Sequence, residues 1–122
     1  MQHPHRIQSF KAAFSGLGHA FIHERNLQIE LVFAVLAITG AFMLGFTSIE
    51  WALLVLIILI VMTFELINTA FEHLSDLQRP RLDPVVKVAK DISAAAVLLS
   101  SIGSVVVGVI LFGPKIAEYL VY

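Results

Sequence analysis

Glu65, Asn68, Glu72 and Asp76 close an otherwise apolar run, at offsets of three, seven and eleven residues from the first. At about 100° of helical turn per residue these offsets return to one face. A helix in lipid tolerates such a stripe only where protein, water, metal or substrate satisfies it. Glu65, partly desolvated, suits a general base for an alcohol. A proton or ion relay, or a glutamate that packs helices, fits the same position. Asn68 could orient a carboxylate or bind a phosphate, and it could equally be interhelical glue.

Further acids and bases lie outside the run. Mg²⁺ favours one or two carboxylates completed by water and substrate phosphates, so Glu24 with Glu72 is a reasonable magnesium pair. Lys90 could clamp a phosphate as a point charge, although a snorkelling lysine at a membrane edge explains it as well. Asp91 is a further acid beside it, while Lys87 and Asp91 have the spacing of an ordinary i,i+4 ion pair. Arg6 is a candidate phosphate contact by its side of the membrane alone. His19 and His23 have the spacing of a metal pair, for which a solvated helix face is the plainer account. No glycine-rich phosphate loop with its lysine and no persuasive Ser/His/Asp set is present. Any nucleotide is therefore handled by an unrelated construction. With no cysteine, disulfides, thiolate metal sites and cysteine nucleophiles are excluded.

The elements that must position these groups follow from composition. Of 122 residues 58% are hydrophobic and 14% charged, with a mean hydropathy of +0.89. A water-soluble domain of this length could not hide that much apolar surface. Leu31 to Ile49 and Ile92 to Pro114 are uncharged, and Trp51 to Phe71 is apolar apart from Glu65, Asn68 and Thr69. Each approaches the ~20 residues that cross a ~30 Å hydrocarbon core as a helix. The expectation is a single all-α integral-membrane domain over 1–122, with spans at about 28–47, 50–75 and 84–113. Arg6, Lys11 and Arg25 precede the first span, and Arg79, Arg81, Lys87 and Lys90 lie between the second and third. The positive-inside bias then places the N-terminus in the cytoplasm and the C-terminus outside. Trp51, Tyr119 and Tyr122 fall where an outer aromatic belt belongs. The first thirty residues lack a signal peptide's apolar core and cleavage site, so no removal is expected.

Ahead of the first span, Ile7, Phe10, Phe14, Leu17 and Phe21 recur at intervals of three and four. This predicts an amphipathic helix over about 6–24, lying in the headgroup plane or packed on its neighbours. Asp83-Pro84 reads as an N-cap followed by proline at the first helical position. If the second span enters the outer hydrocarbon near Glu50, Glu65 lies about 22 Å further along at 1.5 Å per residue. That is just inside the cytoplasmic boundary of a ~30 Å core. Glu72 lies about 10 Å beyond, among headgroups and water. A lipid hydroxyl reaches the first level and a water-soluble phosphate donor the second.

Glu65-x-x-Asn68-Thr-Ala-x-Glu72, followed by Ala89-Lys90-Asp91-x-x-Ala94-Ala95-Ala96-Val97, resembles the signature of the prokaryotic diacylglycerol kinase and undecaprenol kinase family. Ser9-Phe10, Gly16-Leu17 and His23-Glu24-Arg25-Asn26 extend the resemblance along nearly the whole chain, the last favouring the undecaprenol kinase branch. The resemblance implies a homotrimer with three spanning helices and one surface helix per subunit, its active sites shared between chains. It implies that Glu65 is the catalytic base, that Glu24 and Glu72 hold Mg²⁺, and that Asn68, Lys90, Asp91 and Arg6 contact the phosphates of ATP. Glu65 and Ala94 are the implied contacts to the lipid substrate. Relatives often carry His-Pro where this chain has Asp83-Pro84, so a nucleotide-base contact through that histidine is not expected here.

The function expected is a lipid kinase of the bacterial cell membrane, moving the γ-phosphate of ATP to undecaprenol or diacylglycerol, with no nucleic-acid partner. A small proton- or ion-coupled transporter or channel subunit using Glu65 as relay is the alternative. It would need polar groups continuing outward, whereas the outer halves of the spans are apolar except for small hydroxyl residues such as Ser104.

Overall fold

The computed structural model describes residues 3–122, with side chains from His5 onward. Among these residues there are four helices and no strand: α1 (His3–His23), α2 (Arg25–Leu44), α3 (Ser48–Asp76) and α4 (Pro84–Val121). The last three are long and apolar enough to cross a membrane. Most of their apolar side chains, such as Phe33, Phe42, Leu98 and Val109, remain exposed on the isolated chain. A buried core of the usual kind therefore does not hold the spans in place; such apolar faces suit a lipid environment.

Glu24 alone separates α1 from α2, in an extended conformation with φ −98° and ψ 112°. The break leaves carbonyls at the end of α1 without helical partners. Gln28 reaches back to them, its Nε2 donating to the carbonyls of Phe21 (3.1 Å) and Ile22 (3.0 Å). Leu27 is completely buried beside this corner. Ile7, Phe10 and Phe14 project from α1 uncovered, as the apolar stripe predicts for a helix facing lipid headgroups.

At the opposite end Gly45 closes α2 in the left-handed conformation (φ 68°), donating its N–H to the Ala41 carbonyl. Thr47 and Glu50 then form a reciprocal capping box that starts α3. Ala41, Phe46, Leu54 and Leu111 make the buried cluster here, flanked by Trp51 and Phe112. Trp51 packs on Phe42, with ring centroids 4.6 Å apart, so its ring is engaged within the chain. Tyr119 and Tyr122 are exposed. Lys115 ties α4 to this corner, 3.2 Å from a Glu50 carboxylate oxygen and 3.3 Å from the Gly45 carbonyl.

The last helix runs through Pro114 to Val121, past the end at about 113 expected for the third span. Proline lacks an N–H and so leaves one carbonyl a turn earlier without its partner. Near the end of a spanning helix, neighbouring groups or water can satisfy that carbonyl. The start of α4 follows expectation, with an Asp83 Oδ1 accepting from the Val85 N–H at 2.7 Å and Pro84 beside it.

Candidate active site

The polar stripe of α3 faces α4. Glu65 is 4% exposed and Asn68 7%, while their α3 neighbours Phe64, Ile67 and Phe71 are exposed along a groove shared with Ala89, Ile92 and Ala96 of α4. One turn of helix thus carries an acid and an amide inward. Asn68 Nδ2 donates to Glu72 Oε1 at 3.2 Å, along the same face. From α4, Ser93 Oγ donates to Asn68 Oδ1 at 2.7 Å and lies 2.8 Å from the Lys90 carbonyl. Glu65 is buried as a residue, and its carboxyl makes no side-chain hydrogen bond among the described residues; its oxygens are not sealed off, since no fully buried polar atom there lacks a partner. An acid in that state is available to a ligand.

Glu24 arrives from the α1–α2 break. Its Oε1 lies 3.0 Å from His73 Nε2, and His73 directly follows Glu72 in α3. The helix crossing therefore brings Glu24 to the end of the stripe that bears Glu72. His19 and His23 stack with centroids 4.2 Å apart, and His19 meets the edge of His73 at 6.5 Å. Among the described residues no group of three His, Asp or Glu side chains converges as a cation site. Glu24 and Glu72 each have one oxygen engaged and their second oxygen free among the described residues. Two carboxylates of that kind fit Mg²⁺ that arrives with phosphate and water better than a closed protein cage.

The remaining candidates are more dispersed. Lys90 is half-buried and its backbone joins the Ser93 contact. Asp91 is exposed and accepts from Lys87 Nζ at 2.8 Å, so the ordinary i,i+4 pair is what forms. Asp76 pairs with Arg79 at 3.2 Å. Arg6 is exposed on α1, away from the stripe. Ala94 is exposed on α4.

Two features escaped the sequence. Glu30, the last charge before an uncharged run, reads as a span boundary. In the structure it stands within electrostatic reach of Glu65. It also rims a cavity of about 350 Å³ between α2, α3 and α4, walled by Phe33, Leu54, Val61, Val105 and Phe112. Its position just ahead of the apolar run, six residues after Glu24, was the available signal. Ser93 is one of many small residues in the third span, and nothing in its spacing announces a polar contact.

The chain matches the family model described as prokaryotic diacylglycerol kinase over residues 11–112. It is 38% identical over 119 residues to a diacylglycerol kinase of Synechocystis, covering 97% of this chain and 68% of that one. It is 34% identical over 110 residues to the undecaprenol kinase of Bacillus subtilis, covering 90% and 89% of the two chains. A diacylglycerol kinase of Haemophilus influenzae is 36% identical over 109 residues, covering 88% and 92%. The matched region contains every helix of the site, from Glu24 to Ser93, and the chain belongs to the prokaryotic diacylglycerol kinase family of membrane lipid kinases.

Proposed function

We propose that the protein transfers the γ-phosphate of ATP to the hydroxyl of a membrane lipid alcohol, with undecaprenol favoured over diacylglycerol. The observation that carries this reading is Glu65, a buried residue whose carboxyl oxygens remain accessible and unpaired among the described residues, on the helix face that continues to Asn68 and Glu72. The Glu65 carboxylate takes the lipid hydroxyl proton as the alkoxide oxygen bonds to the γ-phosphorus. The bond from that phosphorus to its bridging oxygen breaks, and ADP leaves. Glu24 and Glu72 would hold Mg²⁺, which when bound neutralises triphosphate charge. Asn68 and Lys90 contact the phosphates, with Asp91 and Arg6 as outer members. Positioning and electrostatics supply most of the rate in such a transfer.

The apolar cavity between α2, α3 and α4, lined on α3 as far as Val61 one turn before Glu65, supports a hydrocarbon substrate, because its walls suit a lipid chain. The His23-Glu24-Arg25-Asn26 segment, which resembles the undecaprenol kinase branch, supports undecaprenol as acceptor. Arg25 next to Glu24, and Arg79 and Arg81 of the α3–α4 loop, lie at the end of the bundle that carries the stripe, which supports a cytoplasmic site, a cytoplasmic N-terminus and an external C-terminus. The many uncovered apolar side chains leave room for a homotrimer with shared sites. A relay function fits less well, since the cavity is walled mostly by apolar side chains, among them Phe112, which packs on Phe46.

The test is a labelled-ATP assay on purified protein, offering undecaprenol and diacylglycerol side by side. Label in undecaprenyl phosphate at the higher rate is the expected result. No transfer to either alcohol, or ion flux in proteoliposomes without ATP consumption, overturns the reading.

A further inference from the structure

Asn68 and Ser93 are each more than nine-tenths buried, at 7% and 8% exposure, and they face each other between α3 and α4. A side-chain amide has one acceptor end and one donor end, and burial forces each to find its complement. Glu72 offers the NH₂ of Asn68 an acceptor at 3.2 Å. Turned about, the amide would set its own oxygen against that carboxylate, two acceptors in contact. Ser93 prevents this by supplying a hydrogen to Oδ1 at 2.7 Å. The same Oγ lies 2.8 Å from the Lys90 carbonyl one turn back in α4, so its single hydrogen is shared between two acceptors, the shorter contact being the one to Asn68. Ser100 and Ser104 show the ordinary arrangement, each bonding a carbonyl of its own helix (Val97 and Ser101). Ser93 adds a bond across the helix pair, which close packing alone does not require.

We infer that Ser93 is a positioning residue for phosphoryl transfer: its hydroxyl orients the Asn68 amide so that the amide in turn fixes one oxygen of Glu72 and leaves the other for a metal–phosphate ligand. It also couples that amide to the backbone that bears Lys90. The inference rests on the lipid-kinase reading for its catalytic consequence and on the hydrogen bonds for its structural one. Its two readouts separate accordingly.

The experiment compares wild type with Ser93→Ala, which removes the hydroxyl alone, and Ser93→Thr, which keeps it. The first readout is the ¹⁵N signal of the Asn68 side-chain amide in detergent, assigned by its disappearance in Asn68→Asp. Wild type and Ser93→Thr should show two resolved, exchange-protected protons, and Ser93→Ala should lose that protection. The second is kinetic. Ser93→Ala should raise the apparent KM for Mg²⁺ on the order of tenfold, the size of one lost buried hydrogen bond, measured on the folded fraction because the thermal midpoint should fall too, with Ser93→Thr within about threefold of wild type. Unchanged amide signals in Ser93→Ala overturn the inference, as does a magnesium dependence within twofold of wild type. A wild-type protein with no lipid kinase activity overturns the proposed function instead, while the amide signals still decide the role of Ser93.

Discussion

Glu24 Oε1 and His73 Nε2 meet at 3.0 Å across 49 residues of sequence. This contact fastens the one-residue break between α1 and α2 to α3, at the position next to Glu72. A carboxylate on a chain break has few local restraints, so its place in the site depends on such a partner.

His73→Ala should therefore loosen Glu24 while leaving the fold intact. With His73 about half exposed, the pair contributes no more than about 1 kcal/mol to stability. The apparent requirement for Mg²⁺ should nevertheless rise several-fold in a titration at saturating ATP and lipid. A change below twofold means that Glu24 holds its position without the histidine.

Glu72→Gln keeps an oxygen to accept from Asn68 Nδ2, so the hydrogen-bonded stripe should survive. The charge that binds a divalent ion is removed. Binding of Mn²⁺ to the protein with nucleotide, followed by electron paramagnetic resonance, should weaken at least tenfold without loss of helicity. Equal Mn²⁺ affinity in the variant removes Glu72 from the metal site.

Leu27→Ala tests the corner itself. Leu27 is fully buried where α1 turns into α2, and truncating such a leucine costs about 2–5 kcal/mol. Unfolding in mixed micelles should show a loss of that size. Activity should fall as the folded fraction falls, with KM values unchanged in the protein that remains.

Thr47→Ala acts at the other end of the bundle. It removes the side-chain acceptor of the Glu50 N–H, half of the capping box that starts α3. Losing a cap of this kind costs about 0.5–2 kcal/mol. The site lies at the far end of α3, so kcat and KM in detergent should stay within twofold of wild type.

What could be read from the chain, and what could not, divides along the range of the contacts. The spans, the α1 stripe and the Asp83-Pro84 start are written in periodicity and local capping, which act within a few residues. The facing of Glu65, Asn68 and Glu72 followed from helical spacing in the same way. Ser93 to Asn68 depends on how α3 and α4 are set against each other, 25 residues apart, and no period encodes that register. Glu30 lay in plain sight but looked like the polar end of a span, because its nearness to Glu65 appears only when α2 packs on α3. Lys87 and Asp91 show the converse, since the local i,i+4 rule accounts for them. The continuation of α4 beyond Pro114 was missed because a proline ordinarily ends a helix in water.

The central claim is that Glu65 accepts the proton of the lipid hydroxyl, and the most direct measurement is label transfer from ATP to undecaprenol by Glu65→Gln protein. Glutamine preserves shape and cannot take the proton, so kcat should fall by about 10²–10⁴-fold with Mn²⁺–nucleotide binding and oligomeric state unchanged. Turnover within a few-fold of wild type would contradict the account.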